Sequence, residues 1–397
     1  MTSSPDTGAS SPDSEAPSSF PDGGAPSPFP DSEAPSPFPD GGVPSPDNEA
    51  SPPGDGTPSP GNGTSASDDL FQLVFRSAPW TFQSLYVTAR LGLADLLGDG
   101  PLTSDELAVA TESDADALYR FCRAVAALGL FREHPGRIFE LTSTGEAFRG
   151  GGLAQFTIVN GAENFRSWAD VMYSVRTGKP AFDRVYGMPA FAFLDRDEEA
   201  RKVFHTMVGR GTVPPAVDSC DFSSDTTVVD LGGSVGTLLA HVLRERPELR
   251  GVLQDLPSVV GEAPTVLAGA GVAGRVEIVG RSFFDGVPAG GSTYVLSRVL
   301  HDWGDEDALR ILRNVRAAMT EDSRLVVIDQ VIPEGGGFHP GKFSDLQMLV
   351  VLGGRERTVE EFRGLLLRAG LKIRALRPPA DDPAGSPRTE AVIEAGV

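Results

Sequence analysis

The chain has 397 residues, 55 acidic against 34 basic side chains, a formal net charge of −21 and two cysteines. So acidic a surface repels phosphate backbones and argues against nucleic acid as a partner, and two cysteines are too few for a disulfide framework. The longest apolar stretch, Leu70–Leu97, is broken by Arg76, Gln83 and Arg90, so no membrane span is expected.

Ten of the acidic residues and 16 of the 33 prolines fall in residues 1–67, which hold no Lys or Arg. Phe-Pro-Asp recurs there at Phe20, Phe29 and Phe38. With few apolar groups to offset its ordering entropy, 1–67 reads as a disordered, dispensable acidic tail. It also lacks the basic start and apolar core of a secretory signal, so a cytoplasmic protein is expected. The remaining positions are enough for about two domains of ~150 residues each.

Leu70–Leu97 has helical apolar spacing, with a kink expected at Pro79. Thr103 and Glu106 form a capping-box pattern, and Ser113–Asp116 caps a helix over Ala117–Leu128 that stops at Gly129. Leu130–Leu141 reads as a hairpin turning at Pro135-Gly136. Helix, capped helix, capped helix, hairpin is the order of a winged helix. Between Leu102 and Gly150, however, eight acids face five arginines, the wrong sign for reading DNA. A structural or dimerising role is expected for 68–152.

Leu153–Arg210 is helical in pattern and holds nine aromatic residues and three of the six methionines. Such residues build core, and they also line a pocket for a flat apolar ligand. Phe165, Trp168, Met172, Phe204 and Met207 are the candidate lining residues here, joined by Asp302 and Met348 further along; His205 is expected to line the pocket too. We place this segment at 153–222.

From Thr226 the pattern alternates strand and helix, the mark of a parallel sheet covered on both faces. Strands are predicted at Thr227–Leu231, Gly251–Asp255, Val276–Val279, Thr293–Ser297 and Leu325–Asp329. Helices are predicted at Thr237–Arg246, Val259–Ala268, Glu306–Met319 and Val359–Ala369. Lys372–Leu376 and Glu390–Ala395 read as two last strands. An α/β, Rossmann-like domain over 223–397 follows.

Asp230-Leu231-Gly232-Gly233-Ser234-Val235-Gly236 lies between a strand and a helix, where backbone N–H groups face a ligand. Asp255, at the tip of the next strand, is placed to hold both hydroxyls of a ribose. Three readings compete for the turn. The dinucleotide fingerprint fails because Ser234 and Thr237 occupy its second and third glycine positions. Gly232–Gly236 also spells the Gly-x-Ser-x-Gly of a hydrolase elbow, but no glycine-rich oxyanion loop precedes it. S-adenosylmethionine is the third, and it suits both acids.

Asp230–Gly236, Leu253–Pro257, Ser282-Phe283-Phe284, Leu300–Trp303 and Gly353–Thr358 follow one another in register. Together they resemble the plant-type small-molecule O-methyltransferases, the group of caffeate methyltransferases and of bacterial antibiotic-pathway enzymes acting on aromatic polyketides. The resemblance spans Leu70 to Val397. It implies a class I methyltransferase sheet behind an N-terminal helical, winged-helix-like dimerisation domain, and hence a homodimer. In that likeness Asp230 and Gly232, Gly233, Ser234 and Gly236 hold the methionine end of the cofactor. Asp255 takes the ribose, Leu256, Ser282 and Phe283 the adenine, and Ser297 and Arg298 stand where cofactor contacts are made. His301 matches the catalytic base, with Asp329 and Glu356 the acids that orient it from either side. Three departures stand out: Asp329 replaces Glu, Ser234 replaces Gly, and Arg281-Ser282 replaces Gly-Asp.

The expected reaction is methyl transfer to a phenol, with a neutral His301 as base near pH 7. No Cys/His cluster has metal-ligand spacing, so no metal is expected. Two alternatives keep parts of this reading: a family member that binds S-adenosylmethionine but decarboxylates or hydroxylates, and a ligand-sensing winged-helix regulator.

Overall fold

The computed structural model describes residues 66–207, 213–378 and 390–397. The tail read from the sequence falls outside the described residues up to position 65, as does the side chain of His205.

Helices Ala66–Arg76, Pro79–Arg90 and Leu93–Leu97 open the described chain. Pro79 does not kink one helix but starts a new one, at the first position, where its missing N–H costs nothing. Short strand β1 (Leu102–Thr103) leads into helix Ser104–Ala110. Its capping box forms as expected, Thr103 Oγ1 accepting the Glu106 N–H at 3.1 Å and Glu106 accepting that of Thr103 at 2.8 Å. Asp114 Oδ1 caps helix Ala115–Ala127 through the Ala117 N–H at 2.8 Å. Each cap is worth about 1 kcal/mol. The hairpin is β2 (Phe131–His134) and β3 (Ile138–Leu141), and the sheet order is β1-β3-β2. Leu107, Leu118, Cys122, Val125 and Phe139 fill this small core.

The first helix is unlike the rest. Leu70, Phe71, Leu73, Val74, Phe75 and Trp80 are each more than half exposed. Among the described residues no helix is long and apolar enough to cross a membrane.

Six short helices between Gly152 and Met207 follow. The larger sheet then forms from β4 (Thr227–Leu231), β5 (Arg250–Asp255), β6 (Val276–Gly280), β7 (Thr293–Ser297), β8 (Arg324–Gln330), β9 (Lys372–Arg377) and β10 (Glu390–Gly396). Its order is β6-β5-β4-β7-β8-β10-β9. The first five strands are parallel, and β10 runs antiparallel to both β8 and β9. Val229, Leu231, Tyr294, Leu296, Leu325 and Val327 pack into one core beneath helices Asp305–Ala318 and Val359–Arg368. The alternate residues Val228, Val295, Val326 and Ile328 pack into the other, with helices Thr237–Arg244 and Ala263–Gly269. Two buried faces at a period of two explain why these strands are apolar throughout.

The helix predicted from Val259 begins instead as a tight turn at Val260–Glu262 and becomes α-helical at Ala263, because Pro264 suits only a first turn. Two helices were not foreseen, the single turn Ser143–Glu146 and Pro340–Gln347. Pro340–Gln347 runs into a π-helical turn at Met348–Leu352 that ends at Gly353, φ 74°.

Candidate active site

The glycine-rich turn leaves the carboxyl end of β4 where the strand order reverses, β4 having β5 on one side and β7 on the other. Open α/β sheets bind ligands in that crevice. At Gly233 an added Cβ would lie 2.5 Å from the Asp230 carboxyl carbon and from Leu253 Cδ1, so the backbone approach requires glycine. Ser234 has φ 56°, left-handed for an L-residue at about 1 kcal/mol, a shape that glycine adopts without strain. Asp255 ties the turn to β5: Oδ2 accepts the Ser234 N–H at 2.8 Å and Oδ1 that of Leu256 at 2.7 Å.

Asp230 is 1% exposed, and its Oδ2 has no hydrogen-bond partner among the described residues. Burial first, then the Asp255 charge, pushes its carboxyl up to about 7. An orphaned carboxyl oxygen beside a cavity calls for a donor, and an ammonium is the donor that restores its charge. The set therefore fits the amino-acid and ribose ends of S-adenosylmethionine. Nearby, Ser282 Oγ accepts the Phe284 N–H at 3.2 Å and shapes the turn that presents Phe283. Phe283, Phe284 and Trp303 pack edge to face at 4.7–6.0 Å between ring centres.

His301 stands on the short turn Leu300–Asp302 beyond β7, its side chain 22% exposed. Asp329 in β8 and Glu356, both 1% exposed, lie behind it. His301 Nδ1 is 3.3 Å from Glu356 Oε1 and 3.5 Å from Asp329 Oδ1, while Asp329 Oδ2 accepts the His301 main-chain N–H at 3.2 Å. Both acids thus approach the same ring nitrogen, not opposite sides of the ring as the sequence suggested. The shorter Asp at 329 grips the backbone as well. Nε2 faces Asp302 Oδ1 at 3.4 Å. Ser344 Oγ donates to Glu356 Oε1 at 2.7 Å, and the Glu356 N–H donates to Asp345 Oδ1 at 2.9 Å.

Burial alone would lower the proton affinity of His301, but Asp329, Asp302 and Glu356 outweigh it and raise its pKa well above the ordinary value. Burial pushes Asp302 and Asp329 up to about 6. The three carboxyls favour the imidazolium over the neutral ring that the sequence reading expected; Asp302, the third, had not been counted. The donor atoms of His301, Asp329 and Glu356 also lie within 4.8 Å of one another, close enough to hold a metal ion, which sequence spacing did not reveal.

Sequence reasoning missed Arg357. It is 1% exposed and donates to Leu300 O (2.9 Å), Trp303 O (2.8 Å), Arg355 O (3.2 Å) and Asp305 Oδ1 (2.9 and 3.1 Å). It thereby clamps the turn carrying His301 to the segment carrying Glu356. The two approach so closely that a Cβ on Gly354 would lie 2.1 Å from the His301 carbonyl oxygen.

One cavity of about 1780 Å³ joins the glycine-rich turn to His301. Asp230, Gly232, Gly233, Ser234, Asp255, Leu256, Ser282, Phe283, Ser297 and Arg298 line it, as do Phe204, Met207, Asp302 and Met348. Gly236 is set back as the residue preceding helix Thr237–Arg244, φ 82°. Phe165, Trp168 and Met172 do not line the cavity. The chain turns between Glu163–Trp168 and Val171–Thr177, so their spacing marks no single face; Met172 is 51% exposed, and Trp168 packs against the π-helical turn.

An O-methyltransferase domain profile matches residues 168–372, and an O-methyltransferase dimerisation domain profile matches 77–150. The chain is 42% identical over 320 residues to the phenazine O-methyltransferase PhzM of Lysobacter antibioticus, covering 79% of this chain and 93% of that protein. It is similar to the structure of the mitomycin 7-O-methyltransferase MmcR, with TM-score 0.77 and 33% identity over 83% of this chain and 98% of that one. It is also similar to NcsB1, an O-methyltransferase from neocarzinostatin biosynthesis solved with S-adenosylmethionine and 2-hydroxy-5-methyl naphthoic acid. There the TM-score is 0.73 and the identity 31%, over 82% of this chain and 98% of that one. With both profiles matched in order and the sheet, turn and histidine in place, the chain belongs to the O-methyltransferase family.

Proposed function

We propose that this enzyme methylates a phenolic hydroxyl of a flat aromatic natural-product intermediate, using S-adenosylmethionine, with His301 as general base. The observation that carries the reading is a partly exposed imidazole braced from behind by two buried acids, in one cavity with the glycine-rich turn. The aromatic ligands and products named for similar proteins support a flat acceptor.

S-adenosylmethionine supplies a methyl group already activated on a positively charged sulfonium. Asp230 and Asp255 bind the amino-acid and ribose ends, and the cavity wall sets the acceptor oxygen in line at roughly 3 Å. His301 Nε2 takes the proton of a phenol whose free pKa is about 10. Asp329 and Glu356 hold the Nδ1–H, fix the tautomer and stabilise the imidazolium that forms. A cation held by Asp230 and Asp255 would oppose the imidazolium and so favour the base form of His301. No step in this reading calls for a metal. Two copies pair through the exposed face of the first helices, because an apolar patch of that size marks an interface.

The test is His301→Ala. Calorimetric affinity for S-adenosylhomocysteine should be retained, and methyl transfer to a phenol, read by mass, should fall about 10²–10⁴-fold. EDTA should leave wild-type turnover unchanged. Near-wild-type turnover in the variant would remove His301 as the base.

A further inference from the structure

We propose that the acceptor carries a neutral carbonyl oxygen in addition to the hydroxyl that is methylated, and that Gln347 is the residue that reads it. The inference rests on the methyl-transfer reading above and names the acceptor class more closely.

A short polar strip interrupts the apolar wall where helices Gly152–Gly161, Glu163–Trp168 and Pro340–Gln347 meet. Trp168 Nε1 donates to Gln347 Oε1 at 2.6 Å, and Gln347 Nε2 donates to Asn160 Oδ1 at 3.0 Å. Asn164 Nδ2 donates to the same Asn160 oxygen at 3.2 Å, and Asn160 Nδ2 donates to the Phe156 carbonyl at 2.8 Å. An indole N–H can only donate. It therefore holds the oxygen of Gln347 and turns the amide nitrogen toward Asn160, which must answer with its own oxygen. One obligate donor thus fixes the direction of every amide in the strip.

The consequence lies in what is left over. Asn160 Oδ1 already receives two donors. The second hydrogen on Gln347 Nε2 has no partner among the described residues, and Gln347 lines the cavity. A donor that cannot flip, set in an apolar wall, selects a ligand oxygen that accepts. Its distance from the chemistry is modest. Ser344, which bonds Glu356 behind His301, precedes Gln347 by three positions on the same helix, about 4.5 Å along the axis. His301 and Gln347 line the same cavity, so a flat acceptor seated at His301 has Gln347 within the same chamber.

Charge decides between a carbonyl and a carboxylate. Among the described residues, eight carboxyl side chains line the cavity against four arginines. Of these, Arg90 is paired with Glu199 at 2.6 Å and Arg298 with Glu390, while Arg201 and Arg281 donate to main-chain carbonyls. An anionic acceptor would meet net repulsion, whereas a ketone, quinone or amide oxygen would not.

The experiment titrates the full-length protein with 6-acetyl-2-naphthol and 6-ethyl-2-naphthol, which differ by C=O for CH2, and with 6-hydroxy-2-naphthoate. The acetyl compound should bind about five- to tenfold more tightly than the ethyl one, as one added neutral hydrogen bond gives. The naphthoate should bind no more tightly than the acetyl compound. Gln347→Leu should bring the acetyl-to-ethyl ratio to about one by weakening the acetyl compound alone. Trp168→Phe, which frees the amide to turn, should shrink the ratio too. A merely structural strip would weaken both naphthols together and keep their ratio, overturning the inference. A wild-type ratio near one, a ratio kept in Gln347→Leu, or a preference for the naphthoate would also overturn it. S-adenosylhomocysteine is titrated separately: its failure to bind would overturn the methyl-transfer reading, and the naphthol ratio is read without it.

Discussion

Asp230→Asn should uncouple cofactor binding from pH. Folding raises this carboxyl from 3.8 to about 7, through burial first and the Asp255 charge second, so ionising it in the free protein costs about 4 kcal/mol. A carboxyl raised in this way favours the folded state below 3.8, and that contribution is lost as pH climbs through about 7. An ammonium on Oδ2 restores the charge, so binding should expel about half a proton at pH 7. Affinity for S-adenosylhomocysteine should then weaken about tenfold from pH 8 to pH 6, because the protonated carboxyl must first ionise. In Asp230→Asn the affinity at pH 8 should drop about ten- to a hundredfold with the loss of a charge-assisted bond, and its pH dependence should flatten. The free variant should also melt higher than wild type at pH 8, having no buried charge to maintain. Calorimetry in two buffers of different ionisation enthalpy reads the proton directly. Wild-type affinity that is level from pH 6 to 8, with no proton released, would refute the argument.

Outcomes at three further residues follow from the same geometry. In Asp329→Asn the His301 proton affinity should fall, since a carboxylate that raises it is gone, and the acid limb of the kcat–pH profile should move to lower pH; an unmoved limb would separate Asp329 from the base. Arg357→Met should cost about 1–3 kcal/mol in urea denaturation for each buried carbonyl it leaves without a donor, those of Leu300 and Trp303 first. Arg357→Lys keeps the charge but loses the fork, so its kcat should fall while S-adenosylhomocysteine affinity is kept; loss of both together would make Arg357 a matter of stability alone. Ser234→Gly relieves a left-handed residue and should raise the unfolding free energy read from urea denaturation by up to about 1 kcal/mol, whereas a destabilised variant would show that the serine side chain matters more than the backbone strain.

How far the sequence could be read depended on whether the signal was local. Strands Thr227–Leu231 and Thr293–Ser297 were legible to the residue because both of their faces are buried, leaving unbroken apolar runs between turn residues. The caps at Thr103 and Asp114 were legible because capping is settled within three residues. Helix Pro340–Gln347 was hidden by the three glycines before it and by Phe343, which is 58% exposed and blurs the apolar face. Of the cluster around His301, the histidine, Asp329 and Glu356 could be picked from motifs, but the convergence of both acids on Nδ1 is a tertiary fact. Arg357 escaped because arginines are seldom buried, and its charge drew no attention inside a motif already explained by Glu356. The amide strip was out of reach: Asn160 and Gln347 are separated by 187 positions.

The clamp made by Arg357 has a consequence for how such an enzyme can change over generations. Among the described residues, none of the hydrogen bonds that hold His301, Asp329 or Glu356 comes from residues 152–207, although those helices furnish much of the cavity wall. The His301 cluster is instead closed upon itself within the span from Leu300 to Arg357. Substitutions among the aromatic helices can therefore reshape the cavity wall without disturbing the hydrogen bonds of that cluster. The shape of the cavity is free to drift in one part of the chain while the arrangement around His301 is inherited intact in another.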